Sequence, residues 1–180
     1  MEEHLNSKLN RNSLMKKCKI TALAEGRYVA FTDGSCKGNP GPGGAAVWLY
    51  VPNGKPIEHS RKSLSTTNHI ADMTAVIDAL EMTPEGESVL IVLESEYIKD
   101  GFELYLEGWL QRGWRKSNGK KVANCELWKR IHSLAAERHV TFYKISANSN
   151  DPDKIRVDAL AKEAAEKAAK RAYHAPKGRG

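Results

Sequence analysis

The run Ser88–Leu93, SVLIVL, constrains the fold more than any other segment of the chain. It shows almost no polar alternation and stops abruptly at Glu94. A strand that is apolar on both faces needs cover on both sides, so this one belongs at the centre of a sheet flanked by helices. Other strands are expected at Tyr28–Thr32, Ala45–Val51, Ile57–Leu64 and His139–Ile145. Pro52-Asn53-Gly54 is a hairpin signal, so the first three strands read as an antiparallel meander. The Gly/Pro-dense stretch Gly34–Gly44 reads as turn or loop. A helix is expected at roughly 69–82, with Asp72, Val76, Ala79 and Leu80 on one face. Segments 95–112 and 124–138 also read as helical, with a polar stretch at 115–123 between them. The last helix places Val157, Leu160, Ala161, Ala164, Ala165, Ala168 and Ala172 on one side, small enough to lie close to the sheet. The result is an α/β class domain with five strands in a mixed sheet.

The 180 residues suit one domain, expected over 27–173. Residues 1–26 read as a polar N-terminal extension, disordered, and 174–180 as a basic tail. Cys18, Cys36 and Cys125 are scattered and odd in number, which argues against a disulfide framework or a zinc site. No apolar run is long enough to span a membrane, and MEEHLNSKLNRNS lacks a signal-peptide core. The expected location is cytoplasmic, with no membrane partner. The net charge of +6 suits a polyanionic partner.

Asp33 follows the first strand and Glu94 the fourth; Asp72 lies on the sheet-facing side of its helix, and Asp158 lies near the start of the last helix. If these elements pack together, four acids converge on one edge. Converging carboxylates repel one another, and a bound divalent cation removes the conflict. Oxygen-only ligands favour Mg²⁺ or Mn²⁺, and two such ions form a clamp for phosphodiester cleavage. Each acid also has a plainer reading: Asp33 as a turn residue, Asp158 as a charge favoured by the helix dipole, Glu94 as a solvated strand end. Periodicity alone does not decide between them.

A resemblance joins the acids. FTDGSCKGNPGPGG (Phe31–Gly44), STTNHIADMTAVIDALE (Ser65–Glu81), LESEYIKDG (Leu93–Gly101), GWLQRGWRKSNGKKVANCELWKRI (Gly108–Ile131) and DPDKIRVDALAKEAA (Asp151–Ala165) resemble successive motifs of bacterial-type ribonuclease H. The match runs from about residue 27 to 170. It implies a ribonuclease H-like fold with a basic protrusion, the handle. It also implies cleavage of the RNA strand of RNA–DNA hybrids, with Mg²⁺ (or Mn²⁺) held by Asp33, Asp72, Glu94 and Asp158 as two ions when substrate is bound. Three departures stand out. Asp72 stands where the family has Glu, and Glu94 where it has Asp. Asn148 occupies the place of a loop His, and Asn cannot titrate. Glu96 stands where the family usually has Gln.

The resemblance also implies nucleic-acid contacts at Cys36, Asn39, Thr67, Asn68 and Glu96, and on the handle at Trp109, Arg112, Trp114, Arg115, Lys116, Lys120 and Lys121. Thr67 and Asn68 also fit as helix caps, Trp114 and Trp128 as core anchors, and the basic residues as a solvated face. The leading reading is thus a metal-dependent endoribonuclease acting as a monomer. The alternative is a hybrid- or RNA-binding module of the same fold, weakened or inactive in catalysis. A third reading makes the chain a subunit of a larger complex, docked through residues 1–26.

Overall fold

A computed structural model of the chain describes residues 2–174, with side chains from 13 to 173. Five strands, β1 (Tyr28–Cys36), β2 (Gly41–Tyr50), β3 (Ile57–Thr66), β4 (Ser88–Leu93) and β5 (His139–Lys144), form one sheet in the order β3-β2-β1-β4-β5. β1, β2 and β3 pair antiparallel, whereas β4 pairs parallel with both β1 and β5. The helices are α1 (Glu2–Ala24), α2 (Asn68–Met82), α3 (Glu96–Asp100), α4 (Leu106–Gln111), α5 (Cys125–Ala136) and α6 (Pro152–His174). A π-helical turn, Gly101–Tyr105, joins α3 to α4.

The SVLIVL run behaves as its composition demands. Val89, Ile91 and Leu93 join one buried cluster with Met73, Val76 and Leu80 of α2 and Trp128 and Ile131 of α5. Leu90 and Val92 face the other way, into a cluster with Val157, Leu160 and Ala161 of α6 and Met15 and Ala22 of α1. Each such buried side chain contributes roughly 1.5–3 kcal/mol relative to exposure. Central position and two-sided cover therefore follow from the same six residues.

Four expectations need correction. First, β1 does not end before Asp33 but runs on to Cys36, with Gly34, Ser35 and Cys36 paired to Ala45, Gly44 and Gly43. The Gly/Pro stretch is therefore mostly strand, and the turn shrinks to Lys37–Pro40, closed by Lys37 N–H donating to the Pro42 carbonyl at 2.8 Å. The glycines serve close packing. A Cβ on Gly44 would lie 2.5 Å from Ala164 Cβ and 2.6 Å from the Ala161 carbonyl oxygen of α6. Second, the segment expected to be disordered is helix α1, anchored by Met15 and Ala22, each 1% exposed. Its apolar stripe is sparse, and Leu14 and Ile20 remain exposed, so the sequence pattern did not declare it. Third, Ala172 is exposed, because α6 outruns the sheet beyond Ala168. Fourth, the two expected tryptophan anchors differ in depth: Trp128 is fully buried, whereas Trp114, with a left-handed backbone (φ 63°), is half-buried and packs against the same core. The basic tail beyond His174 lies outside the described residues.

Gly44→Ala should force α6 away from β2. The expected result is a loss of about 1–3 kcal/mol in unfolding free energy, read by urea denaturation.

Candidate active site

The β1–β4 ladder ends at Phe31↔Val92. Asp33 and Glu94 each lie two residues past that last pair, on neighbouring parallel strands, where the strands part. From there β1 keeps its β2 partner but has a free edge toward β4. Strand alternation sends Asp33 to the same side as Phe31, whose cluster contains α6. Asp158 lies on the second turn of α6.

Asp72 arrives from the opposite face. Thr67 caps α2, its hydroxyl accepting from Ile70 N–H at 3.3 Å, and Asp72 follows in the second turn. There α2 lies so close to β1 that a Cβ on Gly34 would sit 2.6 Å from Asp72 Oδ1 and 2.6 Å from the Ala71 carbonyl carbon. With no Cβ in the way, the Gly34 N–H donates to the Asp72 carboxylate.

The electrostatics show that the four acids share one environment. Burial, then the charges of Asp72, Glu94 and Asp158, push the Asp33 carboxyl up to about 8, with Lys154 opposing. Burial and the charge of Glu94 push Asp72 up to about 7, against the Gly34 hydrogen bond. Yet among the described residues no three His, Cys, Asp or Glu side chains stand together at metal-holding distance. Two of the acids are turned onto lysines: Glu94 Oε1 lies 2.6 Å from Lys154 Nζ, and Asp158 Oδ2 lies 2.8 Å from Lys162 Nζ. The donor set nevertheless fits a hard divalent cation. All four groups offer carboxylate oxygen, and added positive charge would favour the ionised forms of Asp33 and Asp72.

The surrounding residues fall into groups. Asn39 Oδ1 accepts from Asn68 N–H at 3.2 Å, and Cys36 Sγ lies 3.3 Å from the Thr66 carbonyl, so Cys36, Asn39, Thr67 and Asn68 form one patch. Glu96 is held by Lys144 at 2.7 Å, and that hydrogen bond keeps its carboxyl below the usual range. The carboxylate is thus neutralised by a lysine at the end of β5. Trp109 is buried; it stacks on Tyr105 with ring centroids 6.0 Å apart and meets Trp128 edge-on at 5.2 Å. A cavity of about 500 Å³ opens beside it, lined by Glu96, Tyr97, Tyr105, Trp109, Arg112 and Lys116. Arg112, Arg115, Lys116, Lys120 and Lys121 are exposed on a loop closed by an Arg115↔Lys121 bridge. Asn148 is exposed in the loop between β5 and α6.

Sequence reading missed Lys144, Lys154 and Tyr105. Lys154 had a signal: it precedes Asp158 by four residues and so shares its helix face. Asp151 and Asp153 have structural tasks. Asp151 Oδ1 caps α6, accepting from the N–H groups of Asp153 (2.9 Å) and Lys154 (3.2 Å), with Pro152 at the first helical position. Asp153 binds Lys19 of α1 at 2.5 Å and the Tyr50 hydroxyl at 2.6 Å.

A mixed sheet of this order with a carboxylate cluster where β1 and β4 part defines the ribonuclease H class of α/β domain. The sequence matches the RNase H family over residues 25–166. It is 39% identical over 134 residues to the ribonuclease H of Xanthomonas campestris pv. campestris (strain 8004), covering 74% of this chain and 89% of that one. It is 40% identical over 137 residues to that of Ehrlichia chaffeensis (strain ATCC CRL-10679 / Arkansas), covering 76% and 92%. Among solved structures, LC9-RNase H1, a type 1 RNase H with the type 2 active-site motif, superposes with a TM-score of 0.67 at 26% identity over 78% of this chain and 72% of that one. LC11-RNase H1, solved in complex with RNA/DNA hybrid, gives 0.60 at 28% identity over 79% and 99%. The chain belongs to the ribonuclease H family, which is generally dependent on divalent metal.

The raised acids fix a pH dependence. A carboxyl at about 8 in the fold and 3.8 as its ordinary value binds more protons folded than unfolded between those limits. Stability in EDTA should therefore fall as pH rises through that window, by roughly 1 kcal/mol per unit at its steepest for one group. Asp33→Asn should flatten the profile, read by denaturant unfolding at stepped pH.

Proposed function

We propose that this protein is a divalent-metal-dependent endoribonuclease that cleaves the RNA strand of RNA–DNA hybrids. The observation that carries the reading is the set of four carboxylates sharing one electrostatic environment where β1 and β4 part, in a chain of the ribonuclease H family. Asp33, Asp72, Glu94 and Asp158 would hold Mg²⁺ or Mn²⁺, two ions with substrate present. When bound, such ions supply Lewis-acid stabilisation of the charge developing on the scissile phosphate.

The chain's own residues do the rest. The exposed cations Arg112, Arg115, Lys116, Lys120 and Lys121 attract backbone phosphates without reading sequence. Thr67 and Asn68 add the N-terminus of α2, whose N–H groups favour an anion. Lys144 keeps Glu96 from repelling the strand. Asn148 offers hydrogen bonds but no proton transfer, so proton movement on this loop falls to solvent. The exchange of acid lengths is read as compensation: Glu94 extends one arm by about 1.5 Å while Asp72 shortens the other.

The binding-module reading draws support from Asn148 and from the seating of Glu94 on Lys154. Against it, each of the four positions keeps a carboxylate.

Incubation with end-labelled hybrid in Mg²⁺ or Mn²⁺ should cut the RNA strand alone. Asp33→Asn should lower the rate by about 10³-fold or more while hybrid binding persists. Binding without cleavage in either metal would leave the binding module. Restoring only one arm, by Asp72→Glu or by Glu94→Asp, should cost about 10²-fold through misplacement, and the double variant should recover much of it.

A further inference from the structure

Lys154 is a cation set inside the acid cluster. Its ammonium lies 2.6 Å from Glu94 Oε1, and its side chain is only 12% exposed, whereas the Lys162 side chain beside Asp158 is 63% exposed. Its charge also reaches Asp33. The stem is firmly rooted. Lys154 N–H donates to the capping Asp151 carboxylate at 3.2 Å, and the neighbouring Asp153 is gripped by Lys19 and Tyr50. The ammonium can leave Glu94 only by turning its own side chain.

We propose that Lys154 is a built-in counter-cation that competes with the divalent ion for Glu94 and so sets the metal concentration at which the site fills. This inference rests on the reading of the four acids as a metal site. A carboxylate oxygen engaged by an ammonium is not free to ligate, and a fixed positive charge at that distance repels a second cation. In the metal-free protein the same charge relieves the repulsion among the acids. Filling the site exchanges the ammonium for the ion at Glu94. The helix spacing of Lys154 and Asp158 makes the device possible, since both side chains rise from one face of α6.

The test uses the full chain and Mn²⁺ alone, without nucleic acid. Titration calorimetry would compare the parent protein with Lys154→Met, Lys154→Gln, Lys154→Arg and Asp33→Asn, alongside thermal melts in EDTA. The two uncharged variants should bind Mn²⁺ at least about tenfold more tightly and melt at a lower temperature without metal. Two uncharged replacements of different shape guard against one that does not fold. Lys154→Arg, which keeps the charge, should stay near the parent in both. If the parent binds Mn²⁺, Asp33→Asn does not, and the uncharged variants bind no more tightly than the parent, the counter-cation is refuted and the metal site stands. If no variant binds Mn²⁺, both fall together.

Discussion

The repulsion among half-buried carboxylates where β1 and β4 part is the interaction on which the rest of the structure depends. Asp33 is pushed to about 8 and Asp72 to about 7, so neither is comfortable as an anion at neutral pH. A fold whose only task is stability would not place them there. Several features work to make the arrangement tolerable. The Gly34 N–H supports Asp72, Lys154 offsets the charge at Glu94 and Asp33, and Lys162 takes Asp158. The tight packing that creates the repulsion comes from missing side-chain atoms. Gly34 lets α2 descend on β1, and Gly44 lets α6 descend on β2.

The same geometry explains how one edge can address a long polyanion. The acids sit where two parallel strands separate, a place open to solvent in this sheet order. The N-terminus of α2 carries the Asn39–Asn68 contact, and the loop 112–121 carries exposed cations. Glu96, in a cavity shared with Arg112 and Lys116, is paired with Lys144. The loop cations carry positive charge, and the four acids carry negative charge that a divalent cation would offset.

Much of this was legible in the sequence because it rests on strong local patterns. SVLIVL could only be a central strand, and the acids at 33 and 94 could be placed near its end and that of its neighbour. What escaped depended on contacts between distant residues. β1 continues past Asp33 because Gly43 and Gly44 of β2 hold its extension, and a dense Gly/Pro stretch reads as loop when no partner is in view. Helix α1 is stabilised by the sheet face and by the Lys19–Asp153 pair, not by a conspicuous apolar stripe of its own. Lys154 belongs to the site only because α6 packs on β1 and β2 beside the end of β4, although its spacing from Asp158 was a usable clue. Asp151 and Asp153 show their tasks only in the fold, as a helix cap and the anchor for α1.

Metal binding by the four acids, as proposed, is open to direct observation. Anomalous diffraction from crystals soaked in Mn²⁺ tests it most directly. An anomalous peak is expected among Asp33, Asp72, Glu94 and Asp158, with Glu94 released from Lys154. A crystal that binds Mn²⁺ elsewhere and leaves Glu94 on Lys154, with no peak among the acids, would contradict it.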